Sequence, residues 1–241
     1  MKSIFLYLKF IMFLIFIIPK KVKLNNLKKQ GRLQEAEEIA KDVLLDWASF
    51  TVKHSGITLN VKGRENIPDR NCLFVSNHQG LLDIPVIVSV INRQVGFVAK
   101  KELIKFKLIS SWMKDIHSVF IDRDNVRDSI KTINEAVENL KSGYNMAIFP
   151  EGTRSRGPEV GEFKKGSMKL ATKSQALVVP IAIDGTYKVL EANKWKVIPA
   201  KIDVIISKPI DVTSLTKEQQ QDLSRMVENI IKNSLIENRN K

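Results

Sequence analysis

A histidine and an aspartate five positions apart, in the run Asn77-His78-Gln79-Gly80-Leu81-Leu82-Asp83, are the residues of this chain best suited to moving a proton. A neutral imidazole is a competent base near pH 7. An aspartate on its Nδ1 hydrogen would fix the tautomer and steady the imidazolium that forms. Alone, the spacing has an ordinary structural explanation: Asn77 caps a turn, His78 is a polar loop residue and Asp83 caps a helix. For an isolated instance that explanation is the better one.

Three further clusters shift the balance. In Phe120-Ile121-Asp122-Arg123, the guanidinium of Arg123 matches a phosphate bidentately, although the same residues would also make a surface ion pair. In Phe149-Pro150-Glu151-Gly152-Thr153-Arg154-Ser155, Gly152 permits a close backbone approach and Arg154 suits an anion. Glu151 does not suit an anion; it fits better as a hydroxyl acceptor or as a partner that orients an arginine. The fourth cluster, Val178-Val179-Pro180-Ile181, has no titratable group and reads as a core strand ending near a pocket. Lys100 and Lys101 are further phosphate candidates, ranked lower because a lysine pair in a basic chain is usually a solvated face. His54 and His117 read as structural. The single cysteine, Cys72, excludes an internal disulfide and a multi-cysteine metal cage.

These residues must be positioned by regular elements. Strands are predicted at Ile57–Val61, Cys72–Ser76, Gly96–Ala99, Val119–Ile121, Asn145–Phe149, Leu177–Ile183 and Ile202–Ile206. Helices are predicted at Asp83–Ile91, around Leu103–Ile109, at Val126–Lys141 with Gly143 closing it, at Phe163–Lys173 and at Thr216–Glu237. Strands alternating with helices imply an α/β domain with a mostly parallel sheet, in which ligands gather at the carboxyl ends of strands. Each polar cluster directly follows a predicted strand. Cys72 begins its strand, at the far end from His78, and is no candidate nucleophile.

The chain has 241 residues, 44% of them apolar and 27% charged, which is enough for one sizeable globular domain. Its net charge of +13 points to an anionic partner. Ile4–Ile18 is apolar except for Lys9, and Pro19-Lys20-Lys21 ends the run. Such a helix is about 22 Å long, short of the roughly 30 Å bilayer core. No acidic residue precedes Glu35, whereas lysines crowd the region, which suits a helix inserted in one leaflet with its lysines on anionic headgroups. A second helix is predicted over Gly31–Thr51. The expected division is a helical membrane-binding hairpin over residues 1–55 and an α/β catalytic domain over 56–241. Either placement of the first helix leaves the remainder on the cytoplasmic face of the membrane. With three tryptophans, three tyrosines, no zinc spacing and no nucleic-acid fold signature, a nucleic-acid partner is not expected.

Taken together and in this order, the four blocks resemble the glycerolipid acyltransferase family, in particular the bacterial 1-acyl-sn-glycerol-3-phosphate acyltransferases. Those carry N-H-x4-D, a block ending in I-D-R, F-P-E-G-T-R-S and a V-P block, and all four are intact between Ile57 and Ile206. The resemblance implies that His78, oriented by Asp83, deprotonates the 2-hydroxyl of lysophosphatidic acid, which attacks an acyl thioester of coenzyme A or acyl carrier protein to give phosphatidic acid. It implies that Arg123 and Arg154 hold the acceptor phosphate, that Glu151, Gly152 and Thr153 shape its pocket, and that no metal or cofactor beyond the acyl donor takes part. Backbone N–H groups of the His78 turn are the expected oxyanion donors. Leu81, Leu82, Ile84, Val86 and Ile87 would line an acyl groove, or else are plain core. The alternatives are another lysolipid acceptor, or a basic lipid- or nucleic-acid-binding module without activity. The two arginines are expected to converge on one edge of the sheet, within a glycerol-phosphate length of His78.

Overall fold

The computed structural model describes residues 2–240, except for the side chains of Lys2, Ser3 and Val126. Seven strands form one sheet: β1 (Ile57–Lys62), β2 (Cys72–Ser76), β3 (Val95–Lys100), β4 (Val119–Ile121), β5 (Asn145–Ile148), β6 (Leu177–Asp184) and β7 (Ala200–Ile206). Their order across the sheet is β1-β7-β6-β2-β5-β3-β4. Pairing is parallel from β6 to β4, and the single antiparallel seam lies between β6 and β7. The predicted α/β class with a mostly parallel sheet is therefore the observed one.

β2 is buried on both faces, as a continuous apolar run in a parallel sheet must be. Its alternate residues face two layers. Leu73 and Val75 join a cluster with α6 (Val126–Lys141), α7 (Lys169–Ser174) and α8 (Lys217–Arg239). Cys72 and Phe74 join the cluster that holds α3 (Leu33–His54) and α4 (Asp83–Ile91). Pro180 sits inside β6 without costing a ladder bond. It pairs with Val75 of β2, and β7 begins its register with β6 only at Ile181. Burial pushes the Cys72 thiol up to about 11, so it stays protonated and inert in the core.

The N-terminal region differs from expectation in one respect. Its first arm is two helices, α1 (Lys2–Phe16) and α2 (Ile18–Lys29). Pro19 does not end the helical run. It lies in the first turn of α2, where a missing N–H breaks no helical hydrogen bond. Gly31, at φ +74, makes the turn into α3. α1 meets α3 through Phe10 and Phe13 on Phe50, and Lys20 pairs with Asp46 farther along. Two shorter differences lie in the sheet crossovers. The helix expected around 103–109 is a 3-10 turn over Lys101–Lys105 followed by α5 (Lys107–Asp115). The one expected over 163–173 is a 3-10 turn at Lys165–Met168 followed by α7.

The helical arm is fastened to the sheet layers by charge as well as by Leu24, Leu27, Ala36 and Ala40 in the shared core. The buried carboxylate of Asp115 is bonded by Lys21 and Lys28, the latter at 2.7 Å. Glu37 accepts the Tyr144 hydroxyl at 2.6 Å, and Tyr144 is stacked on His117. Among the described residues no helix is long and apolar enough to cross a membrane. Replacing Asp115 with alanine strands two lysines and is expected to lower unfolding stability by about 3 kcal/mol. Urea unfolding followed by circular dichroism measures this; a change below about 1 kcal/mol would show that the pair is not what anchors the arm.

Candidate active site

Because β6, β2, β5, β3 and β4 run parallel, the segments that follow them all open on one edge of the sheet. The turn after β2 is the centre of that edge. Asn77, fully buried, is tied to β6 in both directions: its Nδ2 donates to the Ile183 carbonyl at 2.9 Å and its Oδ1 accepts the Ile183 N–H at 2.8 Å. The chain then turns, and Asp83, the first residue of α4, comes back onto the imidazole. His78 Nδ1 lies 2.7 Å from Asp83 Oδ2. The Asp83 side chain is 0% exposed and that of His78 is 16% exposed, so the imidazole reaches the surface and its partner does not.

Asp83 is saturated with donors. Oδ2 also accepts the N–H groups of Gln79 at 2.6 Å and Gly80 at 2.8 Å, and Oδ1 accepts the Thr186 hydroxyl. A carboxylate in that role only accepts, so the His78 Nδ1 carries the hydrogen and Nε2 keeps the lone pair. Phe149 stacks on the imidazole, with centroids 4.0 Å apart and planes 16° apart, and limits its rotation.

Two other carboxylates close on the same turn. Glu151 accepts the His78 N–H on Oε1 at 2.6 Å and the Gly161 N–H on Oε2 at 2.8 Å. Burial pushes its pKa up, and the two amides oppose that shift. Both oxygens thus accept from backbone, so Glu151 braces the His78 turn against the loop that holds Gly161. Glu191, whose side chain is 2% exposed, accepts the Leu81 N–H at 2.8 Å and is 3.2 Å from Arg154 Nη1. The amides of residues 78 to 81, expected as oxyanion donors, are therefore all taken by Glu151, Asp83 and Glu191. The loop after β5 is stitched down as well: Ser155 N–H donates to the His78 carbonyl at 2.8 Å, and Arg156 N–H to that of Gln79 at 3.1 Å.

The cations divide into two groups. Arg154 is paired with Glu191 and lies over the Trp195 ring, 5.9 Å from its centroid. Lys100 is paired with Glu102 at 2.8 Å and Lys101 with Asp122 at 2.7 Å. Arg123 follows β4 and is exposed: a Cβ on Gly152 would lie 3.5 Å from its Nη1 and 3.0 Å from Lys164 Nζ. Both arginines follow strands that end on this edge, Arg154 against Glu191 and Arg123 beside Gly152. Thr153 is exposed. Of the apolar residues after His78, Leu81 is exposed, whereas Leu82, Val86 and Ile87 are buried core.

Sequence reasoning did not find Glu191, Thr186 or Lys164. Each is a common residue in a stretch without periodicity, and only the packing of the loops after β5 and β6 gives it a role. His117 and His54 are kept from the site: the first stacks on Tyr144 and the second bonds the Phe50 carbonyl.

The family described as Acyltransferase matches residues 58–184, more than half of the chain, and the chain belongs to that family. It is 34% identical over 68% of its length to a chloroplastic 1-acyl-sn-glycerol-3-phosphate acyltransferase of Arabidopsis thaliana, of which it covers 46%. It is 31% identical over 73% of its length to a probable 1-acyl-sn-glycerol-3-phosphate acyltransferase of Mycoplasma genitalium, covering 70% of that protein. The chain spans about half the length of the plastid relatives it matches. The crystal structure of the 1-acyl-sn-glycerophosphate acyltransferase PlsC from Thermotoga maritima superposes with a TM-score of 0.77 at 29% identity, covering 100% of this chain and 99% of that one.

Gly80 is where the turn approaches Glu191 most closely, because a Cβ there would lie 2.7 Å from Glu191 Oε2. Gly80→Ala is expected to push Glu191 off Leu81 and Arg154 and to lower turnover on the order of tenfold to a hundredfold while the fold persists. The double variant Gly80→Ala/Glu191→Ala should be no slower than Glu191→Ala alone, since both changes remove the same contact. Additive losses would break the link between the two residues.

Proposed function

We propose that this member of the acyltransferase family moves a fatty acyl group from an acyl thioester to the 2-hydroxyl of 1-acyl-sn-glycerol-3-phosphate, giving phosphatidic acid. The observation that carries the reading is the His78–Asp83 pair, with Nδ1 committed to a buried carboxylate and Nε2 left as the base on the catalytic edge. The names of the relatives support the acceptor.

In the proposed reaction, His78 takes the hydroxyl proton as the oxygen attacks the thioester carbonyl carbon. Asp83 stabilises the imidazolium and holds the ring in line. The carbon–oxygen bond forms, the carbon–sulfur bond breaks, and the thiolate leaves. With a thiol pKa of roughly 8.5, that leaving group needs little acid assistance, and the imidazolium can return the proton to it. No covalent enzyme intermediate is needed, in keeping with a buried and protonated Cys72. The acyl donor is a thioester of coenzyme A or of acyl carrier protein; both present an anionic phosphopantetheine that suits a chain of net charge +13.

The placement proposed is peripheral or monotopic, on the cytoplasmic face of the membrane. α1 turns Ile4, Phe5, Leu8, Ile11, Met12, Ile15 and Phe16 outward, and lysines follow directly in α2. That is the pattern of a helix lying in one leaflet. An acceptor that keeps its acyl chain in the bilayer would then reach the site sideways.

Thiol release from purified protein given lysophosphatidic acid and each thioester in turn tests the activity and separates the donors. His78→Ala is expected to lower the rate about a thousandfold; a rate that survives it would sink the mechanism, and lipid binding without turnover would favour a non-catalytic module. Flotation with vesicles containing anionic lipid tests the placement. Binding should fall as salt rises, and should fall further in Phe5→Asp/Ile11→Asp; equal binding by that variant would remove α1 from the contact.

A further inference from the structure

The segment between β6 and β7 touches both α1 and the catalytic turn. Its inner part is fixed: Thr186 bonds Asp83, and Val189 and Leu190 are buried in the core. Its outer part, residues 191–198, closes on itself. The N–H groups of Asn193 and Trp195 donate to the Leu190 carbonyl at 3.0 and 3.1 Å, and that of Ile198 donates to the Val189 carbonyl at 3.0 Å. Glu191 in this lobe receives the Leu81 N–H and faces Arg154, with Gly80 against its other oxygen. The place of the lobe therefore bears directly on the turn that carries His78.

The lobe has a backbone that its own residues do not favour. Lys194 and Trp195 follow one another at φ +49 and +66, in the left-handed region that side chains with a Cβ avoid. Such a pair needs contacts from outside to hold it. Tyr7 of α1 supplies one: across 188 positions, its hydroxyl donates to the Trp195 carbonyl at 2.7 Å. The Trp195 ring lies over Arg154 and is still 52% exposed, and Ile198 is 47% exposed. Both apolar side chains are thus open in the lobe to which the apolar helix is tied. Tryptophan suits a boundary between apolar and wet surroundings. A lipid surface that takes up Phe5, Leu8 and Ile11 of α1 would gain Trp195 and Ile198 as well while the lobe is latched. That is the differential contact a shift of population requires.

We infer that Tyr7 is a positioning residue: its bond to Trp195 passes the docking of α1 on a lipid surface to Glu191 and the His78 turn, so that turnover depends on the surface being engaged. The inference rests on the reaction and the placement proposed above.

Turnover of the full chain is measured on dispersed substrates, a short-chain lysophosphatidic acid below its micelle concentration and an acyl-coenzyme A. Each assay is run with and without vesicles of phosphatidylcholine and phosphatidylglycerol. Vesicles are expected to raise the wild-type kcat about tenfold. Tyr7→Phe keeps the ring and loses the hydroxyl. It should match the wild type in vesicle binding and in vesicle-free kcat, hold both KM values within about twofold, and gain less than about twofold in kcat on vesicles. Tyr187→Phe, which removes a hydroxyl from the inner part of the same segment, should behave as the wild type. Tryptophan emission is followed in parallel. It should move to shorter wavelength on vesicles in the wild type, and move little in Trp195→Phe and in Tyr7→Phe. A full vesicle gain in Tyr7→Phe, or a wild-type kcat that vesicles leave unchanged, would overturn the inference. So would a Tyr7→Phe loss that is equal with and without vesicles, or one that follows weaker vesicle binding. If no thioester is turned over, the emission decides. A shift lost in Tyr7→Phe upholds the coupling and sinks the proposed reaction alone; a shift that Tyr7→Phe retains sinks both.

Discussion

Four consecutive backbone N–H groups, from His78 to Leu81, point at three carboxylates: Glu151, Asp83 and Glu191. Hydrogen bonds to a charged acceptor are roughly twice as strong as neutral ones, and here they hold a short turn that has no strand or helix of its own. The cost is the burial of three negative charges. It is offset locally, by the amides themselves, by Thr186 on Asp83, by Arg154 on Glu191, and by the N-terminus of α4 on its first residue, Asp83. The position of the imidazole follows from this arrangement, since its backbone hangs from Glu151 and its ring from Asp83.

The same carboxylates sort the basic residues. Arg154 meets the Glu191 carboxylate at 3.2 Å, Lys100 meets Glu102 and Lys101 meets Asp122, whereas Arg123 and Lys164 form no ion pair among the described residues.

The N-terminal arm is bound into this body more closely than an appended anchor would be. α3 contributes to the core cluster on one face of the sheet, and Asp115 and Tyr144 are fastened to α2 and α3. The Tyr7 hydroxyl of α1 also donates to the Trp195 carbonyl at 2.7 Å, in the loop that carries Glu191 and covers Arg154. The helix with the exposed apolar side chains is thus in direct contact with a loop of the site.

Much of the architecture was legible from local pattern. Alternation and helical spacing placed β2, β4, α4 and α6 at their observed bounds, because burial on both faces or on one stripe leaves a clear period. Pro19 misled, since a proline reads equally as a stop and as a first turn. The His78–Asp83 spacing likewise read either as a capped turn or as a base with its orienting acid, and it was the order of the motifs along strands that favoured the second. What only the tertiary structure decided is the state of each group. The amides of residues 78 to 81 are occupied, Glu151 is a brace, Arg154 is neutralised by a glutamate 37 positions away, and Lys164 stands beside Arg123. Partners so far apart in sequence have no periodicity that could announce them. Charge balance in the site is set by which loops meet at the edge of the sheet, whereas the residue types able to do the chemistry were already present in the sequence.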